Sequence, residues 1–258
     1  MRREAAPAGG PAPAPGAGLQ LRGVHTHIGA YHILHGVDLE APAGQVTMLL
    51  GRNGAGKTTT LRTIMGLWKA SAGSICWRGE SIEALSTPAI ARRGIAYVPE
   101  SMGVFADLTV EDNLVLAARN ARDAAGLDAA RLDRLFAAFP ALRRFWLHPA
   151  GKLSGGQKQM LAVARALIEP RELVLLDEPS KGLAPSIVES LGECLRELKG
   201  QSTTILLVEQ NFALARSLGD RVAVMDDGRI VHTGPMAALA GDAALQRRLL
   251  GLSLGALA

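Results

Sequence analysis

Residues Gly51-Arg52-Asn53-Gly54-Ala55-Gly56-Lys57-Thr58 fit the pattern G-x-x-x-x-G-K-[ST], and they follow directly on the apolar run Val46–Leu50. Few architectures accommodate that combination. Glycines let the backbone curl until its N–H groups face a single anion. The stretch from Lys57 to Leu67 suits a helix, whose N-terminus brings free donors and a positive dipole to the same point. A glycine-rich turn carrying an exposed lysine is the simpler alternative. The strand before the loop and the helix after it favour a phosphate cradle inside an α/β domain. Lys57 is then placed to reach β- and γ-phosphates, and the Thr58 hydroxyl to ligate Mg²⁺, with Thr59 beside it.

The rest of the chain fits an α/β body. Its 258 residues, 48% hydrophobic, suffice for one sizeable core. Short apolar runs at 74–77, 95–98, 173–176 and 204–208 alternate with helical stretches, which argues for a mostly parallel sheet flanked by helices. Val222–Met225 and Arg229–His232 flank Asp226-Asp227-Gly228, a hairpin signal. Residues 101–165 have a different texture and read as a helical insertion. Val110 to Asn120 suits a helix with Glu111 and Asp112 in its first turn. Leu132, Leu135, Phe136 and Phe139 share one helix face, which Pro140 is expected to stop.

Residues 1–18, rich in Pro, Ala and Gly, cannot cover a core and read as a flexible tail, so that the folded domain spans 19–258. Arg2 and Arg3 are not followed by a Leu-rich segment, so a signal peptide is rejected and a cytoplasmic chain expected. No apolar run approaches the roughly 18–20 residues of a membrane span. A net charge of +4, from 28 basic and 24 acidic residues, is too mild to argue for direct nucleic-acid binding. Cys76 and Cys194 match no metal or redox spacing and read as free thiols.

Two further segments bear chemistry. Leu173-Val174-Leu175-Leu176-Asp177-Glu178 delivers an acid to the end of a buried strand. Beside a phosphate loop, Asp177 can hold Mg²⁺ through water, and Glu178 can orient or deprotonate an attacking water. Leu153-Ser154-Gly155-Gly156-Gln157 stands just before the helical run Lys158–Ile168, which Pro170 ends. Ser154 read by itself is a plain helix cap. The five residues together resemble the LSGGQ signature of ATP-binding-cassette (ABC) proteins.

The resemblance covers residues 19 to about 252, with the segments in the family's order and 120 positions (177 − 57) between Lys57 and Asp177. It implies a P-loop NTPase (RecA-like) core, an antiparallel β subdomain and an inserted α-helical subdomain. It also implies an ATPase working as a head-to-tail dimer, in which each signature covers ATP on the partner. There is no N-K-x-D guanine-reading motif. Leu34-His35-Gly36-Val37, Ala96-Tyr97-Val98-Pro99-Glu100, Leu108 to Leu114, Gly182-Leu183-Ala184-Pro185 and Val208-Glu209-Gln210-Asn211 are similar to the LivF-type ATPases of branched-chain amino acid importers. Such importers pair two different ATPases with two membrane permease subunits and an extracytoplasmic solute-binding protein, and related systems carry amides or urea. They place the ATPase on the inner face of the membrane.

Three positions depart from the general ABC pattern and follow the LivF type. Glu100 replaces a glutamine that faces Mg²⁺ and the membrane subunits. Gln210 replaces the histidine that touches the γ-phosphate, and Ala184 replaces an aspartate. The family's adenine-stacking tyrosine aligns with Ile28, which leaves Tyr31 either as its substitute or as ordinary strand packing. The surface from Glu100 to Leu114, with Gly103, Val104 and Phe105, is the expected docking site for membrane subunits, unless Phe105 fills the insertion's own core. Two rival roles stand beside the importer. One is a soluble ABC ATPase acting on nucleic acid or ribosomes, although translation members carry two cassettes per chain and repair members a long coiled coil. The other is a weakly catalytic partner subunit.

Overall fold

The computed structural model describes residues 18–251. The flexible tail expected over 1–18 therefore falls, Gly18 aside, outside the described residues. From Leu19 the chain forms β1 (Leu19–Ile28), β2 (Tyr31–Ala41) and β3 (Val46–Leu50), and the phosphate loop then opens α1 (Lys57–Ile64). β4 (Ala70–Trp77), β5 (Glu80–Ser81), α2 (Thr87–Arg92) and β6 (Ile95–Val98) follow. Between β6 and the next strand lie α3 (Val110–Val115), α4 (Ala129–Ala138), α5 (Pro140–Arg144) and α6 (Gly155–Leu167). The chain returns through β7 (Leu173–Asp177), α7 (Pro185–Gly200), β8 (Thr204–Val208) and α8 (Phe212–Leu218). It ends in β9 (Arg221–Asp226), β10 (Arg229–Pro235), α9 (Met236–Gly241) and α10 (Ala243–Leu250).

One sheet has the order β10-β9-β3-β8-β7-β6 and is parallel except for β10 at its edge. A second, antiparallel sheet has the order β2-β1-β4-β5. Every residue of β3, β7 and β8 is buried, as a parallel sheet covered on both faces requires. Alternation then divides each strand between two cores. Val174, Leu176, Ile205 and Leu207 pack with the helical segment, whereas Leu173, Leu175, Leu206 and Val208 pack against α1 and the antiparallel sheet. The expected hairpin is present: Asp227 and Gly228, at φ 41° and 70°, make the left-handed two-residue turn that such sequences favour. Among the described residues, no helix is long and apolar enough to cross a membrane.

Three helix ends differ from the sequence expectation. The first helix stops at Ile64 and not Leu67, because Gly66, at φ 68°, turns the chain left-handed while its N–H bonds back to Thr63 O. α3 stops at Val115 and not Asn120, since the Arg119 N–H is taken by the Glu169 carboxylate. Pro140 does end α4, but it also occupies the first turn of α5, where its missing N–H is no loss.

Candidate active site around the phosphate loop

The loop 51–56 is bent by glycines at positive φ, two of which leave no room for a side chain. At Gly51, φ is 146° and a side-chain Cβ would meet Met225 O at 2.1 Å. At Gly56, φ is 106° and a Cβ would press on Leu34 Cδ2 at 3.0 Å. Lys57 folds back over the loop and donates from Nζ to Gly51 O at 2.8 Å and Arg52 O at 2.9 Å. It is only 5% exposed. Burial lowers its pKa, while Glu178 and Asp177 pull it back up. A cation held there without a full hydration shell is disposed to bind an incoming anion.

Asp177 ends β7 fully buried. Thr58 Oγ1 donates to its Oδ1 at 3.0 Å, and Tyr97 OH to its Oδ2 at 3.2 Å. Burial raises the Asp177 pKa, and these two donors oppose the rise. The Tyr97 phenol is pushed up to about 12, chiefly by burial, so it stays a donor at any physiological pH. Thr58 and Asp177 thus bring a hydroxyl and a carboxylate together, oxygen donors of the kind that would hold Mg²⁺. Among the described residues, no three His, Cys or acidic side chains converge on a metal position. Glu100, the third expected metal ligand, is engaged elsewhere: its Oε1 accepts from Lys181 Nζ at 2.6 Å.

Glu178 follows Asp177 with φ 49°, a left-handed conformation that costs a non-glycine residue about 1–2 kcal/mol. Its N–H bonds to Val208 O at 2.9 Å, which fixes the turn. The carboxylate stands with Oε1 4.0 Å from Lys57 Nζ and Oε2 3.5 Å from Lys181 Nζ. Gln210 Nε2 donates to Glu178 Oε1 at 2.6 Å and to Asn53 Oδ1 at 2.8 Å, so one amide links the phosphate loop to the acid. Backbone Ala55 and Gly54, the other expected loop residues, complete the curve between Asn53 and Gly56, and Thr59 lies in the first turn of α1.

The sequence offered Glu209, Tyr97 and Lys181 no role. Glu209, 3% exposed, accepts from Ser180 N at 3.0 Å, Gln210 N at 3.1 Å and Asn211 N at 3.2 Å. It thereby ties the turn after β7 to the turn after β8. Burial raises its pKa against those donors. One signal was available: like Asp177 after Leu173–Leu176, Glu209 follows an apolar run, Ile205–Val208.

The signature residues are placed at a helix start, as expected. Ser154 Oγ accepts from Gln157 N at 3.3 Å, and Gln157 Oε1 accepts from Ser154 N at 2.9 Å. The plain cap is therefore realised, and Leu153 is buried beneath it. At Gly156 a Cβ would come within 2.6 Å of Ile187 Cδ1, the end of a side chain on α7. Gly155 has open space around it.

Tyr31 is not packed within the sheet: it is 75% exposed. It pairs directly with Ile28 across the two-residue hairpin turn, which puts both side chains on one face. Thr26 and Leu34 share that face, and Leu34 abuts Gly56 of the phosphate loop. Phe105 likewise does not fill a core. It is 49% exposed under the Arg165 guanidinium, 4.8 Å away. Next to it, a cavity of about 720 Å³ opens between the sheet core and the helical segment, lined by Trp68, Pro99, Met102, Gly103, Ala162 and Arg165 among others.

Comparison with known proteins agrees with this geometry. Residues 34–181 match the family model described as ABC transporter. The high-affinity branched-chain amino acid transport ATP-binding protein BraG of Pseudomonas aeruginosa is 40% identical over 234 residues, which cover 90% of this chain and 99% of BraG. The probable branched-chain amino acid transport ATP-binding protein LivF of Archaeoglobus fulgidus is 39% identical over 204 residues, 79% of this chain and 86% of LivF. A solved structure described as an ATP binding subunit of an ABC transporter superposes with a TM-score of 0.76 at 32% identity, covering 93% of this chain and 97% of that one.

Proposed function

The chain belongs to the ABC transporter family, and on that footing we propose that it is the ATP-hydrolysing subunit of a branched-chain amino acid importer. The near-complete coverage of BraG supports an importer subunit over a nucleic-acid or ribosome-directed ATPase. The chemistry rests on one convergence: Lys57, Thr58, Asp177, Glu178 and Gln210 meet at the mouth of the phosphate loop. The loop's backbone N–H groups and Lys57 would take the β- and γ-phosphates of ATP. Thr58 and Asp177 would hold Mg²⁺, which supplies charge neutralisation to the phosphates when bound. Glu178 takes a proton from water as the water oxygen bonds to the γ-phosphorus. The bond from that phosphorus to the bridging oxygen breaks, and ADP leaves with the electron pair. Tyr31, exposed and on the face that abuts the phosphate loop, is the side chain best placed to stack on adenine. The ATPase domain spans the described chain from Leu19, with the helical segment of about 101–165 inserted.

ABC ATPases of importers work as dimers on membrane permeases. We assign Leu153–Gln157 to the partner's ATP, and the groove beside Val104 and Phe105 to a permease segment on the cytoplasmic side of the membrane. A different ATPase as partner and a solute-binding protein outside the membrane complete the assembly. Val104→Asp should uncouple hydrolysis from uptake while ATP binding is retained. Uptake of labelled leucine into vesicles carrying the assembled transporter measures this, and full uptake by several such variants places docking elsewhere.

Gln210 already performs the holding role expected of a histidine at this position, but it cannot become cationic. The site on this chain should therefore turn over more slowly than one with histidine. Gln210→His is expected to raise single-site turnover several-fold in heterodimers whose other site is inactivated, since single donors in such sites carry up to about 10²–10³ in rate. An unchanged single-site rate would remove this asymmetry.

A further inference from the structure

Lys181 touches two acids that belong to different parts of the molecule. Its Nζ donates to Glu100 Oε1 at 2.6 Å and stands 3.5 Å from Glu178 Oε2. Its backbone N–H bonds to Glu178 O at 3.1 Å, so the side chain starts from the same turn as the acid. Glu100 comes two residues after β6, where the chain leaves the parallel sheet for the helical segment. Its neighbours Pro99, Met102 and Gly103 line the large groove. Arg165 of α6 also donates to Gly103 O, tying this loop to the helices. A body entering the groove thus presses on the stretch of backbone that carries Glu100.

Both oxygens of Glu178 are occupied. Oε1 accepts from Gln210 and faces Lys57, and Oε2 faces Lys181. With Gln210 and Lys57 on one oxygen and Lys181 on the other, Lys181 stands on the side from which a water would reach Oε2. The hydrogen bond and charge of Glu100 raise the Lys181 pKa, so the ammonium stays charged across the physiological range.

We propose that Lys181 is a positioning residue that links Glu178 to the Glu100 loop and restrains the acid until the groove is filled and Glu100 moves. The link rests on the assignment of Glu178 as the base and adds to it a route by which permease docking controls hydrolysis. Withdrawal of Glu100 draws the ammonium off Glu178 Oε2 and opens that oxygen to water. Lys181 is 58% exposed, which screens the pair and limits the effect to about two- to fivefold in rate.

The test compares Lys181→Met, Lys181→Arg, Glu100→Gln and the Lys181→Met/Glu100→Gln pair. ATPase rates are measured on the full-length chain and on the chain assembled in proteoliposomes with its copurifying membrane subunits. Lys181→Met should raise the unassembled kcat about two- to fivefold, with KM for ATP within twofold of wild type, and should shrink the stimulation on assembly by the same factor. Lys181→Arg should restore both values. Glu100→Gln leaves Lys181 to Glu178 alone and should lower kcat, and the double variant should match Lys181→Met. An unchanged or lowered kcat in Lys181→Met, or independent effects in the double variant, overturns the link. Glu178→Gln run alongside separates the two assignments. Persisting turnover there removes Glu178 as the base, whereas lost turnover there with an unaltered Lys181→Met removes only the role of Lys181.

Discussion

Glu178→Gln is expected to abolish ATP turnover and to leave ATP binding intact. The substitution keeps the shape of the side chain and one acceptor oxygen for Gln210 Nε2. It removes the only group in the cluster that is both close to Lys57 and able to take a proton from water. Asp177 is spoken for by Thr58 and Tyr97 and sits fully buried. Loss of a positioned base costs about 10²–10⁴ in rate. Phosphate release should therefore fall by at least two orders of magnitude, while equilibrium binding of a fluorescent ATP analogue stays within a few-fold of wild type. A residual rate within tenfold of wild type would show that the base is another group.

Lys57→Ala is expected to remove most of the affinity for ATP. This ammonium is buried and satisfied by two loop carbonyls, Gly51 O and Arg52 O. Those carbonyls are neutral and exchange readily for phosphate oxygens, so the cation is available to the ligand. Truncating one member of a buried, hydrogen-bonded charge pair costs about 2–5 kcal/mol, or roughly 30- to 4,000-fold in Kd. Titration calorimetry with ATP measures it. A thermal melt of the same variant shows whether the fold survives the loss of Lys57 from between Glu178 and Asp177. An affinity within about twofold of wild type would remove the phosphate-site assignment.

Much of the fold and part of the site were legible in the sequence, for a shared physical reason. The phosphate loop, the helix cap at Ser154 and the hairpin at Asp227-Gly228 are each specified within a few consecutive residues. Their backbone conformations follow from glycine, capping and turn chemistry. Asp177 was legible because a run of buried strand residues ends on it. The misjudged features depend on neighbours. The last turn expected of α3 gave way to a carboxylate from Glu169, fifty positions on. Tyr31 and Phe105 were left open and not misjudged: the sequence set packing beside adenine stacking and permease docking, and the fold, which exposes both side chains, decides against packing.

The sequence by itself determined the local units: which residues curl around phosphate, which cap a helix, which strands are buried on both faces, and that an acid stands at the end of one of them. Only the tertiary structure decided which units meet. Parallel strands joined by crossovers can adopt several lateral orders, and strand periodicity is the same in all of them. The order β3-β8-β7-β6 puts the carboxyl ends of four strands side by side. Asn53, Gln210 and Glu100 emerge there from three separate turns, and Glu178 and Lys181 from a fourth that they share. The amide that bridges Asn53 to Glu178 and the ammonium that bridges Glu178 to Glu100 exist because of that order. Their partners are far apart along the chain, and contacts of a few ångströms between distant segments are fixed by packing and not by local chain geometry.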